Sequence, residues 1–206
     1  MAAESDDATT RSVPEWLIPP PDGFTADEFL QMRGLPRHTE LIDGSLVFVS
    51  PQRKWHGRVI LLLVNELDEQ APDGMRADHQ MSVKLGERQC PEPDVLVVSE
   101  ESLNRAERDT HYLADEVVLA VEVVSPESKE RDRETKPLKY AAAGIRHFWR
   151  VEEDESQRHA VVYVHQLDLA TRAYALTGIF HERLKISVPF DIDIDLTSAW
   201  ERRRRP

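Results

Sequence analysis

The chain is short of cysteine, of long apolar runs and of positive charge, and each shortage excludes something. Its 206 residues include a single cysteine, Cys90. One thiol closes no internal disulfide and builds no thiolate metal cluster, so Cys90 reads as a lone thiol ahead of a strand. No apolar stretch approaches the roughly 18 residues that a membrane span needs. The longest, Val59 to Val64, closes at Asn65 and Glu66. The opening residues MAAESDDATTRS are acidic and lack the apolar core of a secretory signal. These absences point to a cytoplasmic protein with no membrane attachment. Basic residues number 26 against 38 acidic ones, a net charge of −12. Affinity for nucleic acid comes mainly from neutralising phosphates, so this balance is not the obvious build for a nucleic-acid binder. Arg202 to Arg205 form a local basic run at the C-terminus that reads as a solvated tail. Internal repeats, zinc fingers, recognition helices and aromatic stacking motifs are all missing from the pattern.

What is present describes one globular domain: 40% hydrophobic and 31% charged residues over a length that can bury a real core. Residues 1–22 are polar and proline-rich and read as disordered or extended; 23–198 form the domain, and 199–206 the basic tail. Thr25-Ala26-Asp27-Glu28 is a capping box ahead of a short helix. Asp43-Gly44 between two apolar runs predicts a hairpin. Apolar spacing from Trp55 to about Glu69 predicts an amphipathic helix that stops at Pro72-Asp73-Gly74. Strands are expected over Arg76 to Leu85, Asp94 to Val98 and Glu116 to Val124; the last two are β-branched runs suited to burial on both faces. Lys129 to Ala143 reads as a helix ending at Gly144. Four further strands are expected at Arg146–Val151, Ala160–Gln166, Arg172–Thr177 and Leu184–Val188. Glu152 to Glu155 reads as a turn. Asp191, Asp193 and Asp195 alternate with isoleucines, which suits a solvated edge better than a second metal site. Phe148, Trp149 and Trp200 read as core or interface residues. Helices among strands make an α/β (α+β) domain with a mixed sheet.

Two acids stand where acids are expensive. Asp94 opens a buried-type strand, and Glu122 lies inside another among valines. An ionised carboxylate there costs several kcal/mol unless it is paired or holds a metal. If the strands are neighbours, both can present oxygens to one point, a donor set that suits Mg²⁺. The plain alternative is an acid at a strand end, paired with an arginine. Asp132, Lys136, Tyr140 and Gly144 fall at i+4 steps along one helix face. Without context that stripe is a surface ion pair followed by a packed tyrosine.

The segments PEPDVLVV and AVEVVSPESKERDRETKPLKYAAAGIRHFWRVE, with the upstream ELIDGSLVFVSP and His56 at a helix start, resemble the Uma family. Its members are restriction-endonuclease-like proteins of the PD-(D/E)XK nuclease superfamily, and the resemblance spans roughly residues 24 to 195. It implies a restriction-endonuclease-like core, a mixed sheet flanked by helices, with an added N-terminal helix and hairpin. It also implies that Asp94 and Glu122 are metal ligands. The superfamily lysine would stand two residues after the glutamate, where this chain has Val124. That departure nominates Lys136 on the following helix, and Glu40 and His56 match the family's upstream polar positions. The expected activity is metal-assisted phosphodiester hydrolysis with Mg²⁺, or Mn²⁺ in its place, on DNA and as a homodimer. The rival expectation is a catalytically inactive nuclease fold kept as a dimeric interaction or regulatory module, since fold alone does not establish activity.

Overall fold

The computed structural model describes residues 18–104, 109–154 and 159–199. The two β-branched runs lie side by side at its centre. β5 (Val95–Ser99) and β7 (Val117–Val123) pair antiparallel, with Val95 opposite Val121. Around them a six-stranded mixed sheet runs in the order β10-β9-β8-β7-β5-β3. Its other members are β3 (Met75–His79), β8 (His147–Glu153), β9 (Ala160–Asp168) and β10 (Ala173–Phe180). Only β7 and β8 pair in parallel within it. Parallel neighbours need a crossover, and here a helix supplies it.

Each face of the sheet is covered. On one, α2 (Lys54–Gln70) packs Val59, Leu63 and Leu67 against Val95, Val121, Trp149 and Val162. Burying a leucine of this kind is worth about 1.5–3 kcal/mol. The same face carries the hairpin of β11 (Arg183–Ile186) and β12 (Ile192–Asp195), which buries Leu184, Ile192 and Ile194. Asp193 faces outward to Arg183 and Lys185, as an exposed edge requires. On the other face, a turn of π-helix (Arg131–Thr135) leads into α4 (Lys136–Ala143), and Tyr140 packs with Phe148, Leu96 and Ala120. Gly144, at φ 86°, ends α4 in the left-handed conformation that a side chain disfavours. A third, smaller cluster holds the N-terminal unit. Thr25 caps α1 (Ala26–Gln31) through the expected capping box. Phe24, Phe29, Leu41 and Cys90 pack together beneath β1 (Thr39–Ile42) and β2 (Ser45–Phe48). Asp43 and Gly44 both have positive φ, the requirement of the tight hairpin turn.

Some expectations are corrected. The stretch from Arg76 to Leu85 is two strands in two sheets. Gln80 takes φ 51°, and beyond it β4 (Ser82–Lys84) leaves the main sheet to pair in parallel with β6 (His111–Leu113). A short helix, α3 (Glu100–Asn104), and β6 occupy a region whose pattern suggests no element. Glu152 and Glu153 are strand, not turn, because β8 keeps pairing through Glu153↔Ala160. Phe148 and Trp149 are core. Trp200, Arg202 to Arg205 and residues 1–17 lie outside the described residues. Among the described residues no helix is long and apolar enough to cross a membrane.

Candidate functional site

The register of the central strands sets the site. Val95 opposes Val121, so one step further places Asp94 beside Glu122 at the end of the pair. Side chains alternate along a strand, and while Val121 and Val123 face α2, Glu122 turns to the α4 side. Asp94 Oδ2 accepts the Val123 N–H at 2.7 Å, which fixes that carboxylate across the two strands. Glu122 is 1% exposed. Its Oε1 accepts the Tyr140 hydroxyl at 2.5 Å and its Oε2 accepts Lys136 Nζ at 2.9 Å.

Three other elements close around this pair. The π turn and α4 present Asp132, Lys136 and Tyr140 on one buried stripe. Lys136 is only 4% exposed, and its ammonium meets Glu40 Oε1 at 2.7 Å and Asp132 Oδ1 at 3.5 Å. Glu40 comes from β1 and also accepts the Glu92 N–H at 2.9 Å. His56, buried in the first turn of α2, sets Nε2 3.3 Å from Asp94 Oδ1. The five residues nominated from sequence, Glu40, His56, Asp94, Glu122 and Lys136, therefore line one cavity of about 380 Å³. Val124, the position where the resemblance would set a lysine, lines the neighbouring cavity instead. The i+4 stripe was the sign of Asp132 and Tyr140, but its reading as a surface pair is corrected: Asp132 is 2% exposed. An ammonium shared by three carboxylates could not be seen before the hairpin was placed.

Burial is the main electrical fact here. It pushes the Glu122 carboxyl well above the usual range, only partly opposed by Lys136. It also raises Asp132. Burial works against the charged Lys136, but Glu122, Glu40, Asp132 and Asp94 outweigh it and hold the ammonium charged well above its ordinary value. Burial and Glu122 likewise keep the Tyr140 hydroxyl protonated, so it remains a donor. Four carboxylates thus surround Lys136, with Arg131 Nε a further 3.6 Å from Glu40 Oε2. Glu40 Oε2 and Asp132 Oδ1 are buried without a hydrogen bond, each with a cation just beyond reach.

A divalent ion fits the donor chemistry. Hard carboxylate oxygens face one cavity, two of them unsatisfied. The site is not a ready-made cage, since among the described residues no three His, Cys, Asp or Glu side chains are grouped to hold a metal. Mg²⁺ commonly takes one or two protein carboxylates and keeps several waters, so two ligands suffice for it.

The sequence model of the family described as "Uma2: Putative restriction endonuclease" matches residues 26–199. Among solved structures, the fold is similar to that of a protein from Anabaena variabilis ATCC 29413 described as a putative nuclease belonging to DUF820. The TM-score is 0.68 at 18% identity, over 86% of this chain and 97% of that one. At that identity the likeness shows a shared fold. No curated protein matches the chain.

Proposed function

The chain belongs to the Uma2 family, and from that premise we propose that it is a Mg²⁺-dependent endonuclease hydrolysing phosphodiester bonds in DNA. The observation that carries this reading is the meeting of Asp94, just before β5, Glu122 on β7 and Lys136 on α4 in one cavity, with Glu122 buried. Asp94 and Glu122 are the residues that would hold the ion. When bound, Mg²⁺ supplies Lewis-acid polarisation of a phosphate oxygen and a lowered pKa for water.

The chain's own groups supply the rest. The Val123 N–H and His56 orient Asp94, and the Tyr140 hydroxyl orients Glu122. Lys136 has three N–H donors. Two meet Glu40 and Glu122 within 2.9 Å, while Asp132 at 3.5 Å is too far for a good third bond. That third donor is free to hold the attacking water or to meet charge developing on the phosphate. In this reading the protein is cytoplasmic and acts as a homodimer, in which two copies of the site serve the two strands.

The catalytically inactive module is the second reading. One observation favours it: both Glu122 oxygens are already taken, by Tyr140 and Lys136. Purified protein incubated with plasmid DNA and Mg²⁺ or Mn²⁺, beside Asp94→Ala and Glu122→Ala, separates the two. The endonuclease nicks DNA only with metal, and each substitution abolishes nicking. Absence of cleavage in every metal, or cleavage that survives both substitutions, decides for the inactive module.

A further inference from the structure

A second cavity, of about 410 Å³, adjoins the acidic one and shares His56 with it. Its character is different. Arg53 stands on one wall, at the entry to α2, and Lys129 and Arg133 stand on the segment leading into α4. Arg133 is engaged with Glu152, which also receives Arg150. Arg53 and Lys129 are exposed, and among the described residues neither has an ion-pair partner. Lys54, next to Arg53, is exposed and unpaired as well. Arg37 is a further exposed cation on the rim of the acidic cavity. In a protein with net charge −12, free cations gathered at the mouth of one cleft need a reason.

Folding does not supply it. Arg53 occupies the N-cap position of α2 without a capping hydrogen bond, and no acid lies in that helix's first turn. Cations at the positive end of a helix dipole oppose stability, and arginine is a poor N-cap. The short α1 shows the favourable alternative in the same chain, with a threonine cap followed by Asp27 and Glu28. Natural proteins break local stability rules mainly at functional sites, and this break lies beside the acidic cavity.

We propose that this second cavity is the track along which the phosphodiester backbone of a nucleic-acid strand reaches the acidic site, with Arg53 and Lys129 each holding a phosphate. This inference rests on the nuclease reading and adds the path of its substrate. Exposed arginine and lysine suit phosphate oxygens because they bring charge without a large desolvation cost. The arrangement also bears on the acidic composition: the first cavity gathers four carboxylates around Lys136, while the second sets Arg53, Lys129 and Arg133 against Glu152 and Glu153.

The test is binding without cleavage. Fluorescence anisotropy with a labelled duplex, in EDTA and again with Ca²⁺, is followed as a function of salt. The Arg53→Gln/Lys129→Gln double variant should bind about tenfold or more weakly at low salt, and its log–log salt slope should fall by about 1.8, two phosphate contacts. Arg146→Gln/Arg172→Gln serves as control. Arg146 precedes β8 at the end of the sheet away from Glu122, and Arg172 lies in the β9–β10 turn at that same end. That control should bind as the natural chain does. Arg53→Ser separates binding from folding: the new cap should raise the melting temperature by roughly 2–4 °C while weakening binding. If the natural protein binds or cleaves DNA and the Arg53/Lys129 variant keeps its affinity and slope, the track is wrong and the nuclease reading stands. If the natural protein neither binds nor cleaves any nucleic acid, both fall.

Discussion

Lys136 is the residue on which the site's folding and its chemistry both turn. Its ammonium is the counter-ion for Glu40 and Glu122 in a place where water is scarce. Lys136→Met keeps much of the volume and removes the charge, leaving Glu122 with the Tyr140 hydroxyl but no counter-ion. Breaking one side of a buried pair costs about 3–5 kcal/mol. We expect a loss of that size in urea unfolding at pH 8. Adding Glu122→Gln should restore about 1–3 kcal/mol of it, the coupling typical of contacting groups. Simple additivity would show that the ion pair contributes nothing net. His165 gives a second residue-scale prediction, remote from the carboxylates. It packs tilted against Phe148 and edge-on to Tyr174, and burial, helped by Arg150, holds it below the ordinary histidine value of 6.5. The unfolded chain therefore binds a proton that the native state refuses. Stability is full above pH 6.5 and falls as pH drops through that value toward the native pKa. Melting temperature should decline between pH 7.5 and pH 5, and His165→Gln should make the decline shallower. An unchanged slope would assign the acid sensitivity to other groups, His147 among them, which burial lowers in the same way.

At the scale of elements, the π turn is the part that ordinary helix periodicity would not suggest. The Lys136 N–H reaches back to the Arg131 carbonyl, five residues away, in place of the usual four. The inserted residue widens the helix where Asp132 and Lys136 face Glu40 and Glu122. Deleting exposed Glu134 should restore α-helical winding and rotate the residues before it by about 100° relative to α4. Tyr140 and Ala141 would stay packed while Asp132 left the cavity. The expected result is a folded protein with near-natural circular dichroism and cleavage reduced by about 100-fold or more, the scale of a misplaced catalytic group. Full activity would mean that the π turn is incidental. Much of this architecture was legible beforehand. DVLVV and EVVLAVEVV announce doubly buried strands because both alternating faces are apolar and mostly β-branched, and the lone acid inside the second stands out against them. The break at Gln80 was not legible: a positive φ at glutamine is chosen by where β4 must go, not by its neighbours. Residues 100–115 carry no period, so α3 and β6 left no trace. In the site, the Asp132–Lys136–Tyr140 stripe could be seen, but sequence alone could not say whether it faced water or Glu122.

For the whole molecule, the site straddles parts with separate cores. Asp94 and Glu122 are carried by the central strand pair and Lys136 by α4, while Glu40 arrives on the N-terminal unit, whose cluster of Phe24, Ala26, Phe29, Leu41 and Cys90 is its own. What joins the units there is polar: the Ala26 and Gly44 N–H groups reach the Glu87 and Arg88 carbonyls, and Asp27, His38, Glu40 and Asp43 pair with Lys84, Glu92, Lys136 and Lys139. A small core joined to its neighbour by polar links, and not by shared apolar packing, should open before the larger one does. Phe29→Ala tests this, because Phe29 is buried in the small cluster alone and its truncation costs about 3–5 kcal/mol. Hydrogen exchange should accelerate across 39–48, with 117–123 as protected as before. Cys90 reports the same opening chemically. Burial pushes its thiol up to about 12, so it should resist alkylation at pH 8 in the natural protein and react in the variant. Cleavage should fall with it, because Glu40 would no longer hold the Lys136 ammonium in place. Uniform acceleration of exchange through both units would instead make the chain one cooperative body, in which Glu40 is fixed as firmly as Glu122.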